Sequence, residues 1–200
     1  TLISYPGSGL TPCTPARTIR SDLSWACSRS TPVQRRSAPW PVFLALALDS
    51  AGAPIGVVNS DVATRLFLGD PRRGAMDRDV VLRDTRQFVR AYPVGLFVEG
   101  VGPVVANDAY ATPKVWADFV RDQYHAPRVA WGREVNLFLL GVAYQARAGG
   151  EGGDAYSREL QAAAHRVLGA VEASGFKSEL WSYDFVNGAP RAIRYGSGGD

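Results

Sequence analysis

The chain has 200 residues, 46% of them hydrophobic and 20% charged, which suits one globular domain with a real core. The net charge of +3 is small, and the arginines are scattered among acids with no clustered basic stripe, which argues against nucleic acid as a partner. No apolar stretch reaches the ~18 residues a membrane span needs, which argues against a membrane partner.

Residues 1–41 are rich in Ser, Thr, Pro and Arg and carry few apolar residues in periodic positions. Such a segment buries little surface and is expected to be loop or disordered. An out-of-frame stretch of GC-rich coding sequence has the same look, and both readings stay open. Residues 42–200 form the expected folded unit. The chain starts at Thr1 and stops at Gly198-Gly199-Asp200, and it reads as a fragment. No signal peptide is visible, and neither a cytoplasmic nor a secreted location follows. Oligomeric state does not follow either.

Cys13 and Cys27 are compatible with a disulfide or with two free thiols. His125 and His165 sit in no ligand-spaced motif, so no metal site is expected, and no cofactor.

From residue 41, "PVFLALALDSAG" is a short apolar run, ambiguous between strand and helix. In "NSDVATRLFLGDP", Asn59 or Ser60 can cap a helix whose Val62, Leu66 and Phe67 share a face, and Gly69 closes it. Asp70-Pro71 opens a second helix carrying Met76, Val80, Val81 and Phe88 and ending before Pro93. "YPVGLFVEGVGPVVANDAYATP" is too rich in Gly and Pro for a helix and reads as a long irregular loop with room for one short strand pair. A short helix, "KVWADFVRDQ", follows Thr112-Pro113. Another is expected over 131–148, and the apolar run around Val135–Ala143 makes it a core helix. After the turn "GGEGGD", Asp154 caps a helix over 155–173, with Leu160, Val167, Leu168 and Val171 on one buried face and Gly175 as its stop. The remainder, "FKSELWSYDFVNGAPRAIRYGSGGD", reads as irregular and aromatic.

Helices joined alternately by short turns and long polar-aromatic loops suggest antiparallel pairs with loops gathered at one end. The expected fold is therefore all-α, an incomplete α/α toroid built of antiparallel helical hairpins. A plain helical bundle is the simpler alternative.

Three clusters offer chemistry. In "QYHAPRVAWGREVNLFLLG", Tyr124, His125 and Trp131 supply flat faces with polar edges, Arg128 and Arg133 supply forked donors, and Glu134 and Asn136 accept hydrogen bonds. Sugars present apolar C–H faces and rows of hydroxyls, which suit such a mixed surface. A buried structural network uses the same residue types. In "SELWSYDFVNG", Glu179 precedes Trp181, Tyr183 and Asp184. A carboxylate partly buried among aromatics is suited to general-base work, and a surface glutamate paired with Arg is the plainer reading. In "GPVVANDAYA", Asn107, Asp108 and Tyr110 lie where glycines permit close approach of a ligand, or where an Asx turn forms.

The order of the clusters "GLFVEGVGPVVANDAYA", "YHAPRVAWGREVN" and "SELWSYDFVNGAPRAIRYGSGGD" resembles the C-terminal part of the six-hairpin glycosidases, which include trehalases, processing α-glucosidases and glycogen-debranching amylo-glucosidases. The likeness covers residues 55–200. It implies an (α/α)6 toroid and an inverting glycoside hydrolase acting on an oligosaccharide or glycoside, with Glu179 at the position of the catalytic general base. It further implies sugar contacts from Asp108, Tyr110, Tyr124, His125, Trp131 and Asn136, and Arg133, Glu134 and Trp181 are grouped with them. Departures are a Tyr-to-Trp spacing longer by one residue, Pro127 in place of glycine, and Glu134 where many relatives carry another polar residue. The general acid in these families is an upstream aspartate. Asp22, in "RSDLSWACSR", bears a slight likeness to the trehalase acid motif, but an acid outside this chain is the leading expectation, which would leave the fragment incomplete and inactive alone. A non-catalytic carbohydrate-binding or structural α/α domain is the alternative.

Overall fold

A computed structural model of the chain describes residues 2–4, 42–69, 76–92, 94–107, 114–115, 117, 128–148 and 153–196. Strand β1 (Leu2–Ser4) pairs antiparallel with β2 (Val42–Leu44), so the first segment contributes a strand edge; the rest of 1–41 lies outside the described residues. Strand β3 (Val58–Asn59) leads into helix α1 (Val62–Leu68), and helix α2 (Arg78–Val89) follows. Three two-residue strands come next: β4 (Phe97–Val98), β5 (Gly102–Pro103) and β6 (Ala106–Asn107). Then come β7 (Val129–Trp131), α3 (Gly132–Ala148), α4 (Ala155–Ser174), β8 (Leu180–Val186) and β9 (Ala189–Arg194).

The helices follow their apolar periodicity. Val62, Ala63 and Leu66 of α1 are buried against α3, where Gly141 lies so close that an added Cβ would stand 2.8 Å from the Leu66 carbonyl carbon and the Phe67 nitrogen. Gln145 of α3, itself buried, donates from Nε2 to the carbonyls of Leu66 (3.2 Å) and Gly69 (2.5 Å). It thereby satisfies acceptors that the end of α1 leaves open. Phe88 of α2 and Phe138 of α3 stack at 4.1 Å, nearly parallel. Asp84 of α2, almost fully buried, takes Arg65 Nε of α1 at 2.7 Å and Arg83 Nε at 3.3 Å.

Helix ends are set by local chemistry. Asp154 caps α4 by accepting from the Ser157 N–H at 2.8 Å, and Gly175, at φ 72°, closes it. α2 begins at Arg78, capped by Asp77, which accepts from the N–H groups of Asp79 and Val80; the expected opening at Asp70-Pro71 lies outside the described residues. α1 has Asp61 at its N-cap without a side-chain cap bond, while Asn59 Oδ1 accepts from the Asp61 N–H at 3.0 Å. Among the described residues no helix is long and apolar enough to cross a membrane.

The all-α toroid is overturned. The chain is mixed α/β, with antiparallel sheets packed on the helices. Two segments expected to be largely irregular, the first with room for one short strand pair, pair as strands more extensively. In the first, β4 and β5 form a hairpin, β6 pairs with β3, and Val105 N–H donates to the Val129 carbonyl at 2.8 Å. The second becomes the β8–β9 hairpin, turning at Asn187-Gly188 with φ of 53° and 79°. Positive φ at both central residues is what a type I′ turn requires, and Asn-Gly is its best pair. Strand β7 adds to this hairpin, giving the order β7-β8-β9.

Candidate functional site

Trp131 ends β7 and Gly132 begins α3 with no loop between them. Pairing of β7 with β8 sets Trp131 opposite Leu180 and Ala130 opposite Trp181. Successive side chains of a strand point to opposite faces. Ala130, Trp181, Tyr183 and Ala192 therefore face the helices and join the main core, whereas Val129, Trp131 and Leu180 pack with Val105 and Tyr195 on the other face.

The short connection 175–179 runs from the end of α4 to β8 and is held at both ends. Ser174 Oγ donates to the Val171 carbonyl at 2.7 Å and accepts from the Phe176 N–H at 3.2 Å. At the far end, Gly132 N–H donates to the Glu179 carbonyl at 2.7 Å. This backbone tie presents the Glu179 carboxylate to the indole: Trp131 Nε1 donates to Glu179 Oε1 at 3.3 Å. The Arg133 guanidinium lies 4.8 Å from the Trp131 ring centroid, and its Nη1 is 3.5 Å from Glu134 Oε1. Beside Glu179 an open depression of about 520 Å³ is lined by Phe176, Lys177, Ser178, Glu179, Arg194 and Tyr195 among others.

Of the residues singled out from the sequence, Trp131, Arg133, Glu134 and Glu179 come together here. Asn136 is exposed on α3, and Glu134 is buried in its first turn. Trp181 does not join them: only 2% exposed, it donates from Nε1 to the Val101 carbonyl at 3.0 Å and serves the core. Glu179 is exposed, where the sequence suggested partial burial, because it stands just outside the end of β8. Asn107 is fully buried and donates from Nδ2 to the Gly95 carbonyl at 2.6 Å, a strand-edge contact within the fold. Asp22, Asp108, Tyr110, Tyr124 and His125 lie outside the described residues.

Lys177, Arg194 and Tyr195 line the depression but escaped the sequence reading. The Asn-Gly turn carried the signal for two of them. A two-residue turn at 187–188 fixes the register that places Arg194 opposite Trp181.

Shifted titration lies away from this site, on α2 and α4. The hydrogen bond from Arg86 holds the Glu159 carboxyl below its ordinary range and raises Arg86 in turn. The Ser157 backbone N–H, then its hydroxyl, lowers Asp154. Burial raises Tyr156. Among the described residues no group of three or more His, Cys, Asp or Glu side chains is placed to hold a metal ion. Compared with known proteins, the chain matches no family model, no curated protein and no solved structure.

Proposed function

We propose that the rim formed by Trp131 and Glu179 contacts an oligosaccharide or glycoside, and that Glu179 is the general base of an inverting glycoside hydrolase. The observation that carries this reading is the 3.3 Å hydrogen bond from Trp131 Nε1 to Glu179 Oε1 beside an open depression. An indole suits the apolar face of a sugar, and a carboxylate suits its hydroxyls or a water molecule. Glu179 would take a proton from water attacking the anomeric carbon, while a second carboxylic acid protonates the leaving oxygen. Inversion needs the two carboxyls ~6.5–9.5 Å apart, which leaves room for that water. Among the described residues Glu179 is the one carboxylate lining the depression, so the acid must come from elsewhere in the whole protein.

That same observation favours a second reading, carbohydrate binding without turnover. The two separate on one experiment. With the whole protein and a panel of disaccharides, Glu179→Gln should abolish hydrolysis and leave the thermal melt unchanged. Trp131→Ala should weaken sugar binding by about tenfold, the equivalent of ~1.4 kcal/mol. Near-normal turnover in Glu179→Gln would remove Glu179 from the role. Binding that depends on Trp131 with no turnover of any sugar would leave the binding reading alone.

A further inference from the structure

The sheet face that covers the core loses its own cover at one end. Trp181 and Tyr183 of β8 are buried on that face, but Phe185, two residues on and therefore on the same side, is 40% exposed. Pro190 of β9 lies opposite it. Nearby, the Tyr92 N–H donates to the Phe97 carbonyl at 2.8 Å and the Phe97 N–H donates to the Arg90 carbonyl at 2.9 Å, which ties the chain after α2 to β4. A groove of about 260 Å³ opens between these parts, lined by Tyr92, Phe97, Glu99, Tyr183, Phe185 and Pro190 among others. Tyr183 and Phe185 meet edge to face, 5.8 Å apart and at 71°, as two walls of a corner.

The chemistry of this lining is one-sided. Among the described residues Glu99, in the turn between β4 and β5, is the one charged side chain that lines the groove. The faces of aromatic rings are electronegative and attract cations. The molecule already uses one of these rings in that way. Arg166 of α4, outside the lining, lies 4.3 Å from the Phe97 ring centroid, and its Nη2 is 3.5 Å from Glu99 Oε2. That ion pair is loose and exposed, so it leaves the carboxylate open to a second cation. A bare ammonium is strongly hydrated and needs hydrogen-bond acceptors, which aromatic and aliphatic walls do not offer. A methylated ammonium needs none, keeps its charge and presents apolar methyls to the rings. The groove is also smaller than the ~300–1,000 Å³ that drug-sized ligands fill, which suits a small head group.

We propose that this groove binds a small quaternary ammonium compound, its trimethylammonium group against Tyr92, Tyr183 and Phe185 and its charge facing Glu99. Tyr183 lies on the opposite sheet face from Trp131, and the proposal does not depend on the saccharide reading of the rim. Calorimetric titration of the full chain with choline and with 3,3-dimethyl-1-butanol tests it, because the alcohol replaces nitrogen by carbon and differs in charge. Choline should bind at least about tenfold tighter than the alcohol, and tighter than unmethylated ethanolamine. Phe185→Leu keeps an apolar side chain but removes the ring face; Glu99→Gln removes the charge. Each should weaken choline by about three- to tenfold and leave the thermal melt unchanged, since both side chains are largely exposed. Equal binding of choline and the alcohol would make the groove merely apolar and overturn the proposal. Choline affinity that neither variant moves would place the binding elsewhere, and no choline binding at all would end the idea. A trimethyl-lysine peptide that binds far tighter than choline would assign the groove to a protein partner and overturn the small-molecule ligand.

Discussion

Trp131 and Glu179 are 48 residues apart in the chain, yet the indole N–H reaches the carboxylate because two backbones have been brought into register first. The side chains at the site are thus placed by main-chain pairing, and their own hydrogen bond is a consequence of it. Asp154 works at the same scale with a purely local job. Its carboxylate accepts from the Ser157 N–H at the start of α4, and that bond, followed by the Ser157 hydroxyl and Arg78, lowers its pKa. A carboxyl depressed on folding stabilises the folded state above its unfolded pKa, and the contribution is lost as pH falls through the folded value. Acid melts of the wild type should therefore lose Tm below pH ~4, where ordinary carboxyls titrate. Asp154→Asn, which keeps a neutral cap, should show a shallower loss over the same range. Equal slopes in the two proteins would mean that the charge on Asp154 contributes nothing to the cap.

Between elements, the tightest fit is that of α1 on α3. Gly141 lets the two backbones approach, and Gln145, one turn on, donates to the carbonyls at the end of α1. Gly141→Ala puts a better helix former into α3 but drives a methyl into the Leu66–Phe67 backbone. Overpacking of this kind costs ~1–3 kcal/mol, and chemical denaturation should report a loss in that range. A neutral or stabilising result would show that the helices separate easily at this crossing. The elements differ in how openly the sequence announces them. The ends of α4 are legible, Asp154 at its start and Gly175 at its stop, and Leu160 and Val167 are buried as their spacing predicts, but Leu168, expected on the same face, is 43% exposed. The strands β3 to β6 are two residues each, too short for a period-two pattern to emerge. β8 and β9 are long enough, and Asn187-Gly188 between alternating aromatic and polar residues is a hairpin signal that the aromatic content of the segment masks.

For the molecule as a whole, that difference explains why an all-helical architecture was the natural reading and a mixed one is what forms. Long helices advertise themselves through one stripe of side chains, whereas sheets depend on partners far away in sequence, such as Val129 with Ser182. The candidate site inherits the same division. Trp131 and Glu179 stood out by residue type. Lys177 did not, because an exposed lysine after a helix is unremarkable until the fold sets it beside Arg194. Trp181 went the other way: an indole in an aromatic segment looked like a ligand contact, and strand alternation turned it into the core.

The bond from the Gly132 amide to the Glu179 carbonyl makes the rim its own sensor. Any excursion that swings the Glu179 segment outward must first release that amide, so deuterium uptake there clocks how often the rim opens. A sugar that grips Trp131 and Glu179 together should slow uptake at Gly132 more than at the distant Ser157 amide. Identical slowing at both would mean that the ligand tightens the protein globally and leaves this latch untouched.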